Sequence, residues 1–274
     1  MGEESKNESN IKQQTSLEDV IPVGEHEEEV SEGGKTVRHK GIYLLPNLFT
    51  LAAMFAGFYS VISAMNGHFE IAAIAIFIAM ILDGLDGRIA RMTNTQSAFG
   101  AEFDSLADMV SFGVAPALVS FTWALSSLGR IGWAVAFIYV AGTAIRLARF
   151  NTQIETADKS YFTGLASPAA AALVAGMVWI CNDYGLVGES LPLFVAILAA
   201  ITTALAGVLM VTNIPYSSFK EIDFKSRVPF VTILVVALGF AVITIDPPLI
   251  MLVLFGGYAL SGPVILVMKK AGRK

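Results

Sequence analysis

The sequence predicts an all-α fold, a polytopic integral membrane helical bundle of about eight transmembrane helices. Of its 274 residues, 55% are hydrophobic and 15% are charged, and the mean hydropathy is +0.65. A soluble domain carries about 25% charged residues, so this chain is poorly suited to water. From Leu48 onward, apolar runs recur that are about 20 residues long, enough for a helix to cross roughly 30 Å of hydrocarbon.

The first 34 residues differ in kind from the remainder. They contain ten acidic residues and two lysines, few large apolar residues and no run resembling the apolar core of a signal peptide. We therefore predict a disordered acidic N-terminal tail at residues 1–34 and a membrane-embedded domain at residues 35–274. The tail carries a formal charge of −8, so the domain carries +3 although the whole chain carries −5.

Polar links separate the apolar runs and set the helix boundaries. The first helix follows the Pro46-Asn47 pair, and the links NGH, SSLGR, NDYGLVGES and IDPP alternate with longer links along the chain. The longer links are RMTNTQSAFGAE, NTQIETADKSYFTG and YSSFKEIDFKSR. The predicted helices are residues 44–65, 69–91, 101–126, 131–150, 167–182, 191–211, 228–245 and 248–268.

The two groups of links differ in charge. Beyond Lys40 the chain has thirteen basic residues, and only Arg130 falls in the shorter group. Basic residues concentrate on the cytoplasmic side of membrane proteins. We therefore expect a multi-pass protein of the cell membrane with the longer links and both termini in the cytoplasm.

The segment from Ile81 to Gly113 gathers acidic residues in an otherwise apolar region: Asp83, Asp86, Glu102, Asp104 and Asp108. Spacings of three and four place Asp83, Asp86, Gly87, Ala90 and Arg91 on one face at the cytoplasmic end of the second helix. Gly100, Asp104 and Asp108 follow a spacing of four in the third helix. The short link makes these helices antiparallel neighbours, so the two stripes are expected to converge.

Four facing aspartates repel one another unless cations lie between them. Hard oxygen ligands suit Mg²⁺ or Mn²⁺ and, less specifically, Ca²⁺. The interleaved small residues Gly84, Gly87, Ala90 and Gly100 leave room for a phosphate-bearing ligand, although they also suit close helix packing. Two metal ions beside a cationic cytoplasmic face indicate chemistry on a phosphate or pyrophosphate. A structural ion site or a divalent-ion transporter is the alternative.

The same residues resemble a known family. Asp83, Asp86, Gly87, Ala90, Arg91, Gly100, Asp104 and Asp108 reproduce, with its spacing, the complete signature of the CDP-alcohol phosphotransferases. The resemblance implies displacement of CMP from a CDP-linked donor by an alcohol, with two divalent cations. It implies metal ligation by the four aspartates, with Asp108 as the general base, and a CMP pocket formed by Asp86, Gly87, Ala90, Arg91 and Gly100. It also implies a homodimer.

Other segments resemble the members of this family that use L-serine as the acceptor. They are SFGVAPA from Ser111, RLARFN from Arg146, FTGLASPAAA from Phe162, NIPYSSFKEI and YALSGP; one departure is Ala166, where many members carry proline. The implied substrates are CDP-diacylglycerol and L-serine, the implied products phosphatidylserine and CMP, and no nucleic acid is expected as a partner.

Two further groups of residues are candidates for binding. Arg146 and Arg149, with Asn151 beside them, could hold a carboxylate or a lipid phosphate, or could be cytoplasmic anchors. The same arginines would suit glycerol 3-phosphate or inositol phosphate, so the choice of serine rests on the resemblance. In relatives, the asparagine matching Asn47 approaches the nucleotide, with Thr50 one turn on; a local helix cap is the alternative for Asn47.

Overall fold

The structure is a computed structural model that describes residues 30–32, 35–37, 44–93, 97–153, 161–217 and 243–271, with a few positions between 234 and 241. The chain divides into two units, Met1–Ile42 and Tyr43–Lys274. In the first unit, strands β1 (Val30–Glu32) and β2 (Lys35–Val37) form an antiparallel pair. The predicted acidic tail lies mostly outside the described residues and stays a prediction.

The second unit consists mainly of helices. Their bounds are α1 (Leu44–Met65), α2 (Phe69–Met92), α3 (Ala98–Asp108), α4 (Ala115–Trp123), α5 (Arg130–Gln153), α6 (Ser167–Asp183), α7 (Leu193–Val211) and α8 (Pro247–Ala271). A π-helical segment, Met109–Val114, joins α3 to α4 without a break, so the two form the single helix predicted from residue 101. Short 3₁₀ turns occupy Leu125–Leu128 and Gly188–Ser190.

Five helical stretches among the described residues are long and apolar enough to cross a membrane: Leu45–Met65, Phe99–Trp123, Arg130–Thr152, Leu193–Val211 and Pro247–Met268. The chain is therefore a multi-pass membrane protein. The predicted count of eight spans is not confirmed. Helix α2 carries both aspartates and arginines within its last three turns, and α6 has only 17 residues. The predicted seventh helix, at 228–245, lies mostly outside the described residues.

Small side chains let the helices pack closely. The link between α1 and α2 turns at Gly67, whose φ of 78° is a left-handed conformation that favours glycine. Beyond the turn, Ala72, Ala73 and Ala79 are buried in α2. The Ser60 hydroxyl of α1 donates to the Ala72 carbonyl at 2.7 Å, satisfying a polar group within the bundle. The two helices thus form a tight antiparallel hairpin, as the short link predicts.

Helix α6 packs against α2, α7 and α8. Its alanines from Ala169 to Ala172 are all buried, which fits a helix surrounded by others rather than by lipid. Helices α5 and α7 are in backbone contact, because a Cβ on Gly142 would clash with the Gly207 carbonyl oxygen. These contacts hold α5 against α7 and α6 against α2, α7 and α8.

The all-α bundle is confirmed, and one short strand pair accompanies its helices in this unit. Strands β3 (Tyr161–Thr163) and β4 (Pro215–Ser217) pair antiparallel, with Phe162 opposite Tyr216. Tyr216 is fully buried, and its hydroxyl donates to the Ala259 carbonyl of α8 at 3.0 Å. Burial, with Tyr258 nearby, raises the pKa of Tyr216 to about 12, so the hydroxyl keeps its proton and remains a donor. The pair ties the segment preceding α6 to α8.

Candidate active site

The cluster is built where α2 ends and α3 begins. Asp83 lies in the second half of α2, while Asp104 and Asp108 are one turn apart in α3, with Asp108 as its last residue. Ser97 caps α3, since its hydroxyl accepts a hydrogen bond from the Gly100 backbone N–H at 2.9 Å. This cap fixes the start of α3, so the sequence spacing of its aspartates becomes a defined position in space.

Three carboxyl groups converge at this point. One oxygen from each of Asp83, Asp104 and Asp108 lies within 4.8 Å of the others, and all three residues are half-buried. The Asp83 and Asp108 carboxyl groups are also in hydrogen-bonding contact. Three oxygens at these separations can reach one ion, and hard carboxylate ligands suit Mg²⁺, Mn²⁺ or Ca²⁺.

Asp104 supplies an independent test of this fit. Its Oδ1 atom is buried and has no hydrogen-bond partner among the described residues. Buried polar atoms are nearly always satisfied, and an unsatisfied carboxylate oxygen is costly. A divalent cation between the three side chains would satisfy this oxygen and offset their mutual repulsion. The cluster therefore fits a metal ion in three respects: the donors are carboxylate oxygens, they lie close enough together to reach one ion, and Asp104 Oδ1 has no hydrogen-bond partner among the described residues.

The fourth aspartate is held separately. Asp86 is only 5% exposed, and its Oδ2 accepts a hydrogen bond from the Thr50 hydroxyl of α1 at 2.7 Å. It interacts electrostatically with both Asp83 and Asp104, so it belongs to the same charged region. Thr50 thus orients one carboxylate of the cluster from a third helix.

Of the candidate nucleotide residues, Gly87 borders open space beside this cluster, whereas Gly100 is packed, since a Cβ there would lie 3.1 Å from the Ser97 hydroxyl. A Cβ on Gly87 would find its nearest neighbour among the described residues, the Arg91 Nη2 atom, at 3.9 Å. A Cβ on Gly100 would lie 3.5 Å from the Asn47 side-chain oxygen, which places Asn47 at the start of α3. Ala90 is half-buried and Arg91 exposed. This side of the cluster is therefore lined by small residues and one cation.

Arg146 lies on the other side of Asp108. Its Nη1 donates to the Ser167 hydroxyl at 2.7 Å, and the guanidinium interacts electrostatically with Asp108, Tyr139 and Tyr258. Its Nε is buried without a hydrogen-bond partner in the part of the chain that the structure describes. A largely buried guanidinium with a spare donor next to a carboxylate is suited to bind an anionic group.

Arg149 and Asn151, which were predicted to bind together with Arg146, lie further along α5. Asn151 and Ser105 exchange hydrogen bonds, with Nδ2 donating to Oγ at 3.0 Å and Oγ to Oδ1 at 3.2 Å. Asn151 therefore braces α3 beside Asp104. Arg149 is half-buried, and its backbone carbonyl accepts from the Thr152 hydroxyl at 3.0 Å.

Four residues of this region were not predicted from sequence: Ser105, Tyr139, Ser167 and Tyr258. Ser167 and Tyr258 occur in segments that carry the family resemblance, FTGLASPAAA and YALSGP, and that resemblance was the available signal for them. Ser105 and Tyr139 lie in helices whose apolar pattern gives no indication of a polar role. Only the three-dimensional contacts reveal what they bind.

Comparison with known proteins decides the family. Residues 43–253 match the family model described as CDP-alcohol phosphatidyltransferase. This chain belongs to that family. It is 44% identical over 200 residues to a CDP-diacylglycerol–serine O-phosphatidyltransferase of Helicobacter pylori, an alignment that covers 73% of this chain and 82% of the relative.

More distant members of the CDP-alcohol phosphatidyltransferase family carry the same name. The chain is 30% identical over 226 residues to a CDP-diacylglycerol–serine O-phosphatidyltransferase of Mycobacterium leprae, covering 81% of this chain and 74% of that one. It is 35% identical over 187 residues to one of Methanocaldococcus jannaschii, covering 68% and 80% respectively. The aspartate cluster lies inside the region that matches the family.

Proposed function

We propose that this enzyme transfers the phosphatidyl group from CDP-diacylglycerol to the hydroxyl of L-serine, giving phosphatidylserine and CMP. The observation that carries the proposal is the juxtaposition of three converging carboxylates with a buried guanidinium, Arg146, beside Asp108. The relatives named for serine transfer support the choice of donor and acceptor. The three converging carboxylates suit phosphoryl chemistry, and the Arg146 guanidinium suits an acceptor that bears a negative charge.

Divalent cations, two Mg²⁺ or Mn²⁺ ions, would be held by Asp83, Asp86, Asp104 and Asp108, with Ca²⁺ as a further candidate. When bound, such ions neutralise phosphate oxygens and the charge that develops on the leaving group. The unsatisfied Oδ1 atom of Asp104 supports this assignment from the structure. Asp86 would contribute from the side on which Thr50 orients it.

The protein's own residues divide the remaining work. Arg146, steadied by Ser167, holds the carboxylate of serine, so the serine hydroxyl points towards Asp108. The Asp108 carboxylate takes the hydroxyl proton as the serine oxygen forms its bond to the phosphorus bonded to the diacylglycerol oxygen. The bond from that phosphorus to the CMP oxygen breaks, and CMP leaves with the electron pair. A hydroxyl is a weak nucleophile near neutral pH, which is why a positioned base is needed.

The nucleotide would lie on the open side of the cluster. Gly87 and Ala90 leave the space, and Gly100 lies at its edge beside Asn47. Polar contacts to the cytidine and the pyrophosphate would come from Asn47, Thr50, Asp86 and Arg91. The acyl chains would stay in the bilayer. We assign the site and both termini to the cytoplasmic side of the cell membrane from the distribution of basic residues, and we expect a homodimer from the family resemblance.

A second acceptor class has one observation in its favour. The spare Nε of Arg146 and its neighbouring Ser167 hydroxyl would also bind a phosphate, as in glycerol 3-phosphate or inositol phosphate. Such a reaction would keep the same donor, base and leaving group. The acceptor therefore has to be determined by experiment rather than by the charge of the pocket.

The test is CMP release by the purified protein from CDP-diacylglycerol in detergent with Mg²⁺ or Mn²⁺. Reactions contain L-serine, glycerol 3-phosphate, inositol 3-phosphate or no acceptor. Of these acceptors, we expect only L-serine to support CMP release, and we expect Asp108→Asn to release no CMP with it. Asp246→Asn is the matched control, because Asp246 caps the start of α8 by accepting from the Leu249 N–H at 3.1 Å. Asparagine can make the same cap, so this variant should keep wild-type activity.

The other outcomes have distinct meanings. Release with a different acceptor would keep the catalytic core and overturn the assignment of serine. Folded, metal-loaded protein that releases no CMP but passes divalent ions into vesicles would support the transporter alternative. Retention of configuration at phosphorus, or isolation of a phosphatidyl-enzyme, would contradict the direct displacement described above.

A further inference from the structure

The helix that carries Asp104 and Asp108 changes its winding immediately after Asp108. Residues Met109–Val114 form a π-helical segment, in which the Ala115 N–H donates to the Val110 carbonyl, five residues back. One such turn accommodates an extra residue compared with an α-helix and therefore rotates one half of the helix against the other by about 100°. The half before the π-helical segment, α3, can thus be oriented independently of the half after it, α4.

The half after the π-helical segment is fixed by the bundle. The Ser120 hydroxyl of α4 shares a hydrogen bond of 3.1 Å with Thr203 of α7, and Trp123 Nε1 donates to the Leu186 carbonyl at 2.9 Å. Because α4 cannot rotate without breaking these contacts, a return to α-helical winding would have to turn α3 instead. That turn would carry Asp104 and Asp108 away from Asp83.

Two anchors hold the π-helical segment itself. The Tyr139 hydroxyl of α5 donates to the Phe112 carbonyl at 3.0 Å, and both residues are fully buried. From the other side, the Ser111 hydroxyl donates to the Ala53 carbonyl of α1 at 3.0 Å. Gly57 permits this approach, because a Cβ there would lie 2.6 Å from the Ser111 Cα atom. The segment is therefore clamped between α1 and α5.

We infer that Tyr139 is a positioning residue for the aspartate cluster: by anchoring the π-helical segment, it keeps Asp104 and Asp108 turned towards Asp83. Tyr139 binds the Phe112 carbonyl, four residues beyond Asp108, so its effect on the site passes through the helix. The inference rests on the proposed metal site. It adds the buried Tyr139 hydroxyl of α5 to the groups that determine where the aspartate ligands lie.

The experiment measures Mn²⁺ binding directly, with the full-length protein in detergent, from the paramagnetic resonance signal of free Mn²⁺. The test variant is Tyr139→Phe, which removes only the anchoring hydroxyl. The control is Tyr216→Phe, which removes an equally buried tyrosine hydroxyl bond, to the Ala259 carbonyl of α8, and leaves the contacts of the π-helical segment and of α4 in place. Loss of a partner that orients metal ligands commonly weakens metal affinity by about 10–100-fold. We expect a weakening in this range for Tyr139→Phe and none for the control.

The KM for serine distinguishes positioning of the aspartates from an effect of Tyr139 on serine binding. Tyr139 also interacts electrostatically with Arg146, so a change confined to the KM for serine would assign its effect to the acceptor pocket and overturn the inference. Unchanged Mn²⁺ affinity in Tyr139→Phe would overturn it as well. If wild-type protein binds no Mn²⁺, the proposed metal site fails and the inference with it.

Ser111→Ala provides the second variant if Tyr139→Phe does not fold. It removes the anchor to α1 and leaves Tyr139 in place. Weaker Mn²⁺ binding by this variant, relative to Tyr216→Phe, would support the positioning role of the π-helical segment. Affinity equal to that of wild type would contradict it.

Discussion

Replacing Thr50 by valine tests whether a third helix orients the catalytic carboxylates. The substitution keeps the shape of the side chain and removes the hydroxyl that donates to Asp86 Oδ2 at 2.7 Å. Asp86 is buried, so no water easily takes the place of the lost donor. A hydrogen bond to a charged group contributes about 1.5–3 kcal/mol. At 1.4 kcal/mol for each factor of ten, kcat/KM should fall by about 10–100-fold.

The assay is serine-dependent CMP release over a range of Mn²⁺ and CDP-diacylglycerol concentrations. Thr50→Ser is the matched control, since it keeps the hydroxyl and loses only a methyl group. We expect Thr50→Ser to retain most of the activity, with Thr50→Val showing a higher requirement for Mn²⁺ or for the donor. Equal activity in wild type and Thr50→Val would refute the reasoning that this hydrogen bond holds Asp86 in its working position.

Three further predictions follow from the same contacts. Removal of divalent ions by a chelator should abolish CMP release, and Mg²⁺ or Mn²⁺ should restore it; activity that survives chelation would contradict the metal site. Arg146→Lys should raise the KM for serine by about tenfold, because lysine lacks the planar donors that reach Ser167. The KM for CDP-diacylglycerol should change little, and Arg130→Lys, at the other end of α5, should match wild type. An unchanged serine KM in Arg146→Lys would exclude its assigned role. Gly142→Ala should lower stability by about 1–3 kcal/mol, because its Cβ would clash with the Gly207 carbonyl oxygen. Gly256→Ala should not, because among the described residues its Cβ would meet Leu173 Cδ1 alone, at 3.7 Å. Thermal unfolding in detergent distinguishes the two variants, and equal midpoints would contradict the close contact.

The sequence predicted much of the fold, because apolar length and polar links determine where membrane helices begin and end. Helix α1 has the bounds that were predicted, and α2 differs by one residue at its end. The spacing of three and four also predicted that aspartates from α2 and α3 meet. Family resemblance, supported by the match over residues 43–253, supplied the chemistry that spacing alone left open.

What the sequence did not predict depends on contacts between distant segments. The spacing within α2 and α3 could not show that Thr50 of α1 binds Asp86, or that Ser105 and Asn151 bind one another. Strands β3 and β4 have three residues each, too few for a recognisable alternating pattern. The π-helical segment after Asp108 contains one residue more than the α-helical winding would, and the two bonds that anchor it come from distant segments, Tyr139 of α5 and Ala53 of α1.

The most direct test of the central claim follows the acceptor oxygen. Purified protein is incubated with CDP-diacylglycerol, Mn²⁺ and L-serine labelled with heavy oxygen in its hydroxyl group, and the lipid and nucleotide products are analysed by mass spectrometry. We expect phosphatidylserine that retains the heavy oxygen, unlabelled CMP, and neither product with Asp108→Asn. Phosphatidylserine without the label, or unchanged product formation by Asp108→Asn, would contradict the central claim.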